Sequence, residues 1–266
     1  AAKVSGARFG YLKGDAALLE FALVDLAIKT EIKEGFTPIV PPVFVKSEIM
    51  QGMGYVDTQA DLAERYFFEK EGLFLVGTAE QSVGPMHANE IFEEKDLPRR
   101  YVAFSTCFRE EAGSYGKDTK GILRVHQFDK VEFFSFCHPE KSKEEHEFLV
   151  KLEEELWQAL EIPYQVVQLS TGDMSRPSAS TIDIEAWLPG QNRYREVSSA
   201  SNTTDFQARR LNIRYKNKDG KLEFVHMLNA TGFPIGRTII AILENYQQKD
   251  GSIKIPKVLQ EYVGKK

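Results

Sequence analysis

Apolar residues recur at helical spacing through Leu18, Leu19, Leu23, Leu26 and Ala27, between Asp15, a side chain suited to an N-cap, and Gly35. That pattern predicts a long amphipathic helix over residues 15–35. A short strand over 36–40 follows and is ended by Pro41-Pro42, which cannot donate to a sheet ladder. Residues 66–68 and 73–76 flank Glu71-Gly72 and read as a hairpin. Longer strands are predicted over 100–108 and 125–137, then a helix over 139–160. In that helix Lys143, Glu147, Lys151 and Glu155 line one face, and Phe148, Leu152 and Leu156 another. Strand patterns return at 164–169, 181–188, 193–198 and 211–215, with 222–228 beyond Asp219-Gly220, and a last helix starts near Gly236.

Successive strands joined by short connections imply an antiparallel sheet, because each parallel pair needs a long crossover. With helices at the start, middle and end, the expected class is α+β, an antiparallel sheet flanked by helices. No low-complexity linker or internal repeat interrupts the pattern, so residues 1–266 are expected to form a single domain.

Composition narrows the function classes. The 266 residues are 42% hydrophobic and 27% charged, which is ordinary for a globular protein. No run approaches the ~18 apolar residues of a membrane helix, and the N-terminus lacks a signal-peptide core, so a cytoplasmic location is expected. A net charge of −5 gives no global field to recruit nucleic acid. Any RNA contact must then be local, for instance through Arg209, Arg210, Arg214, Lys216 and Lys218, which equally read as a solvated strand and turn. The two cysteines, Cys107 and Cys137, lack partners at zinc-ligand spacing and are expected to be buried thiols.

The chemistry concentrates between Tyr101 and Phe136. Alternation sets Arg109 on the face of Ala103, Ser105 and Cys107, whose small side chains leave space above a sheet. A guanidinium there, beside Glu110 and Glu111, is suited to fork onto a phosphate. On the returning strand Glu132 shares a face with Phe134 and Phe136. A carboxylate in apolar company requires a cation, either Lys130 or an ammonium brought by a substrate. His126 reads as a structural residue of the strand. Neither G-x-G-x-x-G nor G-x-x-x-x-G-K-[ST] occurs, which disfavours Rossmann and P-loop nucleotide sites.

Phe108-Arg109-x-Glu111, followed by Arg124-x-x-x-Phe128-x-x-x-Glu132, resembles motif 2 of the class II aminoacyl-tRNA synthetases. Gly35-Phe36 with Val40 and Pro42 is similar to motif 1, which lies at the dimer interface in that class. Gly232 to Gly236-Arg237, running into Thr238 and on to Glu244, resembles motif 3. Longer strings are similar to the seryl-tRNA synthetase family: Thr78-Ala79-Glu80, Val125 through Glu132, Glu196-Val197-Ser198-Ser199, Asp205 through Arg210, Leu228-Asn229-Ala230-Thr231 and Ile242 through Gln247. The resemblance covers about residues 6–264. It departs at Ser180 and Ile182, where lysine and tyrosine are common in bacterial members, and at Ala230 and Pro234 in motif 3.

The resemblance implies roles. Arg109 would contact the α-phosphate of ATP, Glu111 the adenine side and Phe128 would stack on the base, with Glu110 and Val125 also in the ATP site. Arg237 would hold the γ-phosphate at a helix N-terminus, where amides also favour an anion. Glu196 and Ser199, flanking Val197 and Ser198 in the ATP-binding strand, would bind Mg2+, a hard-oxygen site with no zinc expected. Glu132 would meet the serine ammonium, Thr78, Ala79 and Glu80 would frame the amino acid with Arg109, and Asn229 and Thr231 would read the hydroxyl. Such a pocket rejects alanine, because its own polar groups would be left unpaired.

The expected reaction is activation of L-serine to seryl-adenylate with release of pyrophosphate, then transfer to the 3′ end of tRNA(Ser), by a homodimer with no membrane association. Arg109 and Arg237 would be the catalytic pair. The family begins with a helical hairpin that grips tRNA; this chain starts almost directly at the catalytic region, so weakened charging is expected. Two further readings are an amino acid:carrier-protein ligase, disfavoured because its relatives use a zinc site that these residues do not supply, and a non-catalytic paralogue, disfavoured because Arg109, Arg237, Glu111, Glu132 and Glu196 are all retained.

Overall fold

The computed structural model describes residues 1–112, 118 and 121–265. Helix α1, Asp15–Lys33, opens the main body. Gly14, not Asp15, occupies the cap position, and Asp15 is the first helical residue, where its carboxylate faces the positive end of the helix. At the other end the Phe36 amide donates to the Glu31 carbonyl at 3.1 Å around Gly35. Gly35 has φ 86, the left-handed conformation that closes such a helix end.

Strand β1, Thr37–Ile39, pairs with β2, Arg99–Phe108, in parallel, Thr37 opposite Tyr101 and Ile39 opposite Ala103. This departs from the antiparallel expectation. The crossover it requires is supplied by residues 40–98, which build a three-stranded sheet from Phe44–Lys46, Leu73–Leu75 and Phe67–Phe68. The chain then continues through β3, Gln127–Cys137, helix α2, Ser142–Ala159, and strands β4, Tyr164–Gln168, β5, Ser180–Leu188, and β6, Arg193–Asn202. Helix α3, Phe206–Leu211, strand β7, His226–Pro234, and helix α4, Ile235–Tyr246, follow. The seven-stranded sheet runs β1-β2-β3-β7-β6-β5-β4, antiparallel throughout except at β1. The α+β expectation therefore holds.

Alternation divides the sheet. Val131 and Phe133 of β3 point rearward into a core built with Leu19 and Leu23 of α1, Leu152, Leu156 and Trp157 of α2 and Ile239 of α4. Phe134 and Phe136 point forward to a second core with Ala208 and Leu211 of α3. Two sequence expectations are corrected here. Residues 211–215 are not one strand: α3 occupies 206–211, and only Arg214–Lys216 is extended, pairing with Leu222–Phe224 and Ile91–Glu93 in a separate sheet. Residues 222–228 do not form a single strand either: Leu222–Phe224 is separate from β7, which starts at His226 and runs on through Asn229–Pro234, where no strand was expected. Its polar side chains face the cleft described below, which disguises the strand pattern.

Candidate active site

A cleft of about 380 Å³ opens on the forward face of β2, β3, β6 and β7. Twelve of the sequence-selected side chains border it: Thr78, Glu80, Arg109, Glu111, Val125, Phe128, Glu132, Glu196, Ser199, Asn229, Thr231 and Arg237, with Val197 forming part of the wall.

At one end the groups suit a small polar ligand. Glu132, 2% exposed, lies 2.5 Å from Lys130 Nζ, so the internal ion pair is present. Burial nevertheless pushes Glu132 up to about 7 against the pull of Lys130. Thr231 stands opposite Glu132 across β7 and β3. Its Oγ1 donates to Glu132 and accepts from Lys130, both at 3.4 Å. Glu80 accepts from Tyr55 Oη and Gln207 Nε2, each at 2.7 Å. Burial raises the Glu80 pKa, offset in part by those two donors. The buried Thr78 Oγ1 has no hydrogen-bond partner among the described residues, an unspent donor and acceptor at the pocket wall.

The other end suits phosphates. The Arg109 amide donates to the His126 carbonyl at 3.0 Å, continuing the β2–β3 pairing beyond the named strands. Its Nε donates to the Gly77 carbonyl at 3.1 Å, and its guanidinium lies 5.3 Å from the Phe128 ring centre. Glu111, at φ 55, accepts from Arg124 Nη1 at 2.6 Å. Arg237 stands in the first turn of α4, its Nη1 donating to the Glu196 carbonyl at 2.8 Å and lying 3.4 Å from Glu196 Oε1. On β6 Ser199 faces Asp183 of β5 and bonds its carboxyl, which burial and the nearby Glu196 hold up at about 6.

Three selected residues lie outside the cleft lining. Ala79 is fully buried in the forward core. Glu110 is not among the cleft-lining residues and lies near Tyr66, whose phenol is pushed up by burial and then by that carboxylate. Ser198 points rearward: its Oγ accepts from Trp157 Nε1 at 3.0 Å and donates to the Gly232 carbonyl at 3.2 Å. A register shift between Glu196 and Ser198 keeps Ser199 on the cleft face and turns Ser198 into the core. The side chain of Ser198 is thereby removed from any nucleotide.

Sequence reasoning missed Tyr55 and Arg65, which join the cleft wall, Gln207, which bonds Glu80, and Asp183, opposite Ser199. They come from separate segments, and no local sequence signal links them. His126 packs against Phe9 and Tyr66 with Nδ1 3.0 Å from the Arg109 carbonyl, a structural setting. Of the cationic stretch, Arg209 pairs with Asp205, and Arg210 is tied to the Gln51 carbonyl and to Asp57 at 2.5 and 2.7 Å. Both cations are thus already engaged within the chain.

Residues 66–246 match the tRNA synthetase class II core domain family (G, H, P, S and T). The chain belongs to that family. The serine–tRNA ligase of Dictyoglomus thermophilum is 52% identical over 262 residues, 98% of this chain and 61% of that protein. The crystal structure of seryl-tRNA synthetase from Pyrococcus horikoshii complexed with ATP superposes with a TM-score of 0.96 at 51% identity, covering 100% of this chain and 59% of the other. The cytoplasmic serine–tRNA ligase of Naegleria fowleri in complex with AMP gives 0.92 at 40% identity, covering 100% and 62%. The chain thus spans about three-fifths of the length of these relatives. The expected class II synthetase fold and family are both borne out.

Proposed function

We propose that the chain activates L-serine with ATP and that the seryl group then passes to the 3′ end of tRNA(Ser). The observation that carries this reading is one continuous cleft with Arg109, just past β2, and Arg237 of α4 at one end and, at the other, buried carboxylates beside Thr231 and a Thr78 hydroxyl with no hydrogen-bond partner among the described residues. The names of the relatives agree with it. The serine carboxylate oxygen attacks the α-phosphorus of ATP; the bond from that phosphorus to the bridging oxygen breaks, and pyrophosphate leaves. Arg109 meets the α-phosphate and Arg237 the γ-phosphate, stabilising developing charge without a protein nucleophile. Phe128 offers its ring to adenine, with Glu111 and Val125 beside it. Glu132 receives the ammonium. Its raised affinity for a proton marks a buried carboxyl that Lys130 alone under-compensates, and an incoming cation corrects that.

Glu196, Ser199 and Asp183 supply hard oxygens that fit Mg2+. Asp183 Oδ1 is buried with no hydrogen-bond partner among the described residues. Bound there, the ion would neutralise phosphate charge. No group of three acidic or histidine ligands is found among the described residues, so phosphate oxygens would complete such a site. No helix among the described residues is long and apolar enough to cross a membrane, and a cytoplasmic setting is part of this reading.

Serine-dependent exchange of labelled pyrophosphate into ATP tests the reading, and its absence at high enzyme concentration would sink it. Arg109→Ala is expected to lower exchange by about 100-fold or more, in the range seen when one transition-state donor is lost. We also propose a homodimer through the motif 1 region, supported by the exposed Phe21 and Val40, 69% and 82% exposed in the single chain. Light scattering should give twice the chain mass; a monomer at micromolar concentration would refute this part.

A further inference from the structure

Strand β7 carries an irregularity where it crosses the cleft. Thr231 pairs with Glu132 of β3, but Phe233 pairs with Val131, so Gly232 is an extra residue. Only glycine fits there: a Cβ would stand 2.7 Å from Phe133 Cζ. The peptide groups around such a bulge lose their regular ladder partners, and both are tied to one face of α2. Glu153 Oε1 accepts the Thr231 amide at 2.8 Å. One helical turn on, Trp157 donates to Ser198, which donates to the Gly232 carbonyl, at 3.0 and 3.2 Å. Glu153 is fully buried, and its Oε2 has no partner among the described residues.

We infer that Glu153 and the Trp157–Ser198 pair clamp the β7 bulge from behind and so position Thr231 for recognition of the amino acid. This rests on the proposed serine site. The Thr231 side chain emerges on the cleft face, within 3.4 Å of both Glu132 and Lys130. A turn of the bulge would move that hydroxyl relative to the carboxylate that meets the ammonium. The clamp is costly to bury, and Glu153, Trp157 and Ser198 are not among the described residues that line the cleft, which distinguishes them from ligand-binding groups. Burial, with Glu132 and Asp183 nearby, pushes the Glu153 carboxyl well up, so glutamine reproduces its neutral form and its acceptor oxygen.

The test is steady-state pyrophosphate exchange by the whole chain, with KM measured separately for serine and ATP. Glu153→Met keeps the volume and removes the acceptor; serine KM should rise about tenfold, the loss of a partner for one buried amide, while ATP KM stays within twofold. Preference for serine over alanine should fall with it. Glu153→Gln should restore most of the serine affinity, which a merely space-filling role would not require. Ser198→Ala, a smaller change, should give the same serine-specific loss and decides the matter if the methionine variant does not fold. Unchanged serine KM, or an equal rise for both substrates, overturns the clamp while leaving the proposed function intact. No serine-dependent exchange by the unsubstituted chain overturns both.

Discussion

Buried carboxyl groups set the chemistry of individual residues here, and Glu31 is the clearest case. It sits on α1, fully buried, and neither carboxyl oxygen has a hydrogen-bond partner among the described residues. Arg100, the nearest compensating charge, is already bonded by Nε and Nη2 to Glu145, both at 2.6 Å. Burial, with Glu34 and Glu155 nearby, pushes Glu31 up to about 8 from 4.5. The folded chain therefore holds a proton that the unfolded chain releases above pH 4.5, and this stabilisation is complete at low pH and lost as pH rises through about 8. Glu132, at about 7, acts in the same direction. The thermal midpoint is expected to fall between pH 5 and pH 8. Glu31→Gln should flatten that fall and be the more stable protein at pH 8, by on the order of 2 kcal/mol. A midpoint that rises over this range, or an equally steep fall in the variant, would contradict the assignment. From the sequence, Glu132 was recognisable because it stands in a motif with its cation two residues away. Glu31 continues the i, i+4 row of Leu19, Leu23 and Ala27 on the buried face of α1, so the repeat itself marks the position as buried; what the local pattern does not encode is that no cation among the described residues bonds it there.

At the scale of elements, the signals that succeeded were those whose cause is local. Gly35 ended α1 because its left-handed conformation closes the last turn. A Cβ there meets nothing within 4 Å, so Gly35→Ala should be destabilising through backbone strain alone, by about 1 kcal/mol, with serine and ATP KM unchanged. Chemical denaturation measures the first and exchange kinetics the second; a loss of several kcal/mol would mean that the turn has tertiary partners not evident from its surroundings. The misread elements have non-local causes. β7 carries Asn229, Thr231, Gly232 and Pro234 because it borders the cleft and bears the bulge, so functional residues break the alternation a central strand would show. Residues 206–211 coil as α3 because Ala208 and Leu211 pack into the forward core, whereas the basic side chains between them masked the helical apolar spacing.

For the whole molecule, sheet class and the placement of the long helices α1, α2 and α4 were legible, since hydrophobic period and short connections determine both. The parallel entry of β1 was not, because nothing in residues 37–39 marks which neighbour they find after the crossover through 40–98. The same crossover brings Tyr55 and Arg65 to the cleft wall beside Thr78 and Glu80, and those first two become visible only in three dimensions. Alternation in β3 has a further consequence for how this protein tolerates change in length. Lys130 and Glu132 face the cleft, while Val131 and Phe133, one residue away, are sealed in the rear core. A single insertion or deletion inside β3 would exchange those two sets, burying a charged pair behind the sheet and spreading aromatic rings across the cleft. Lineages of this fold are then free to vary β3 by substitution but not by length. Changes in length belong in surface turns such as the one around Gly220, where an added residue leaves the frame of the sheet untouched.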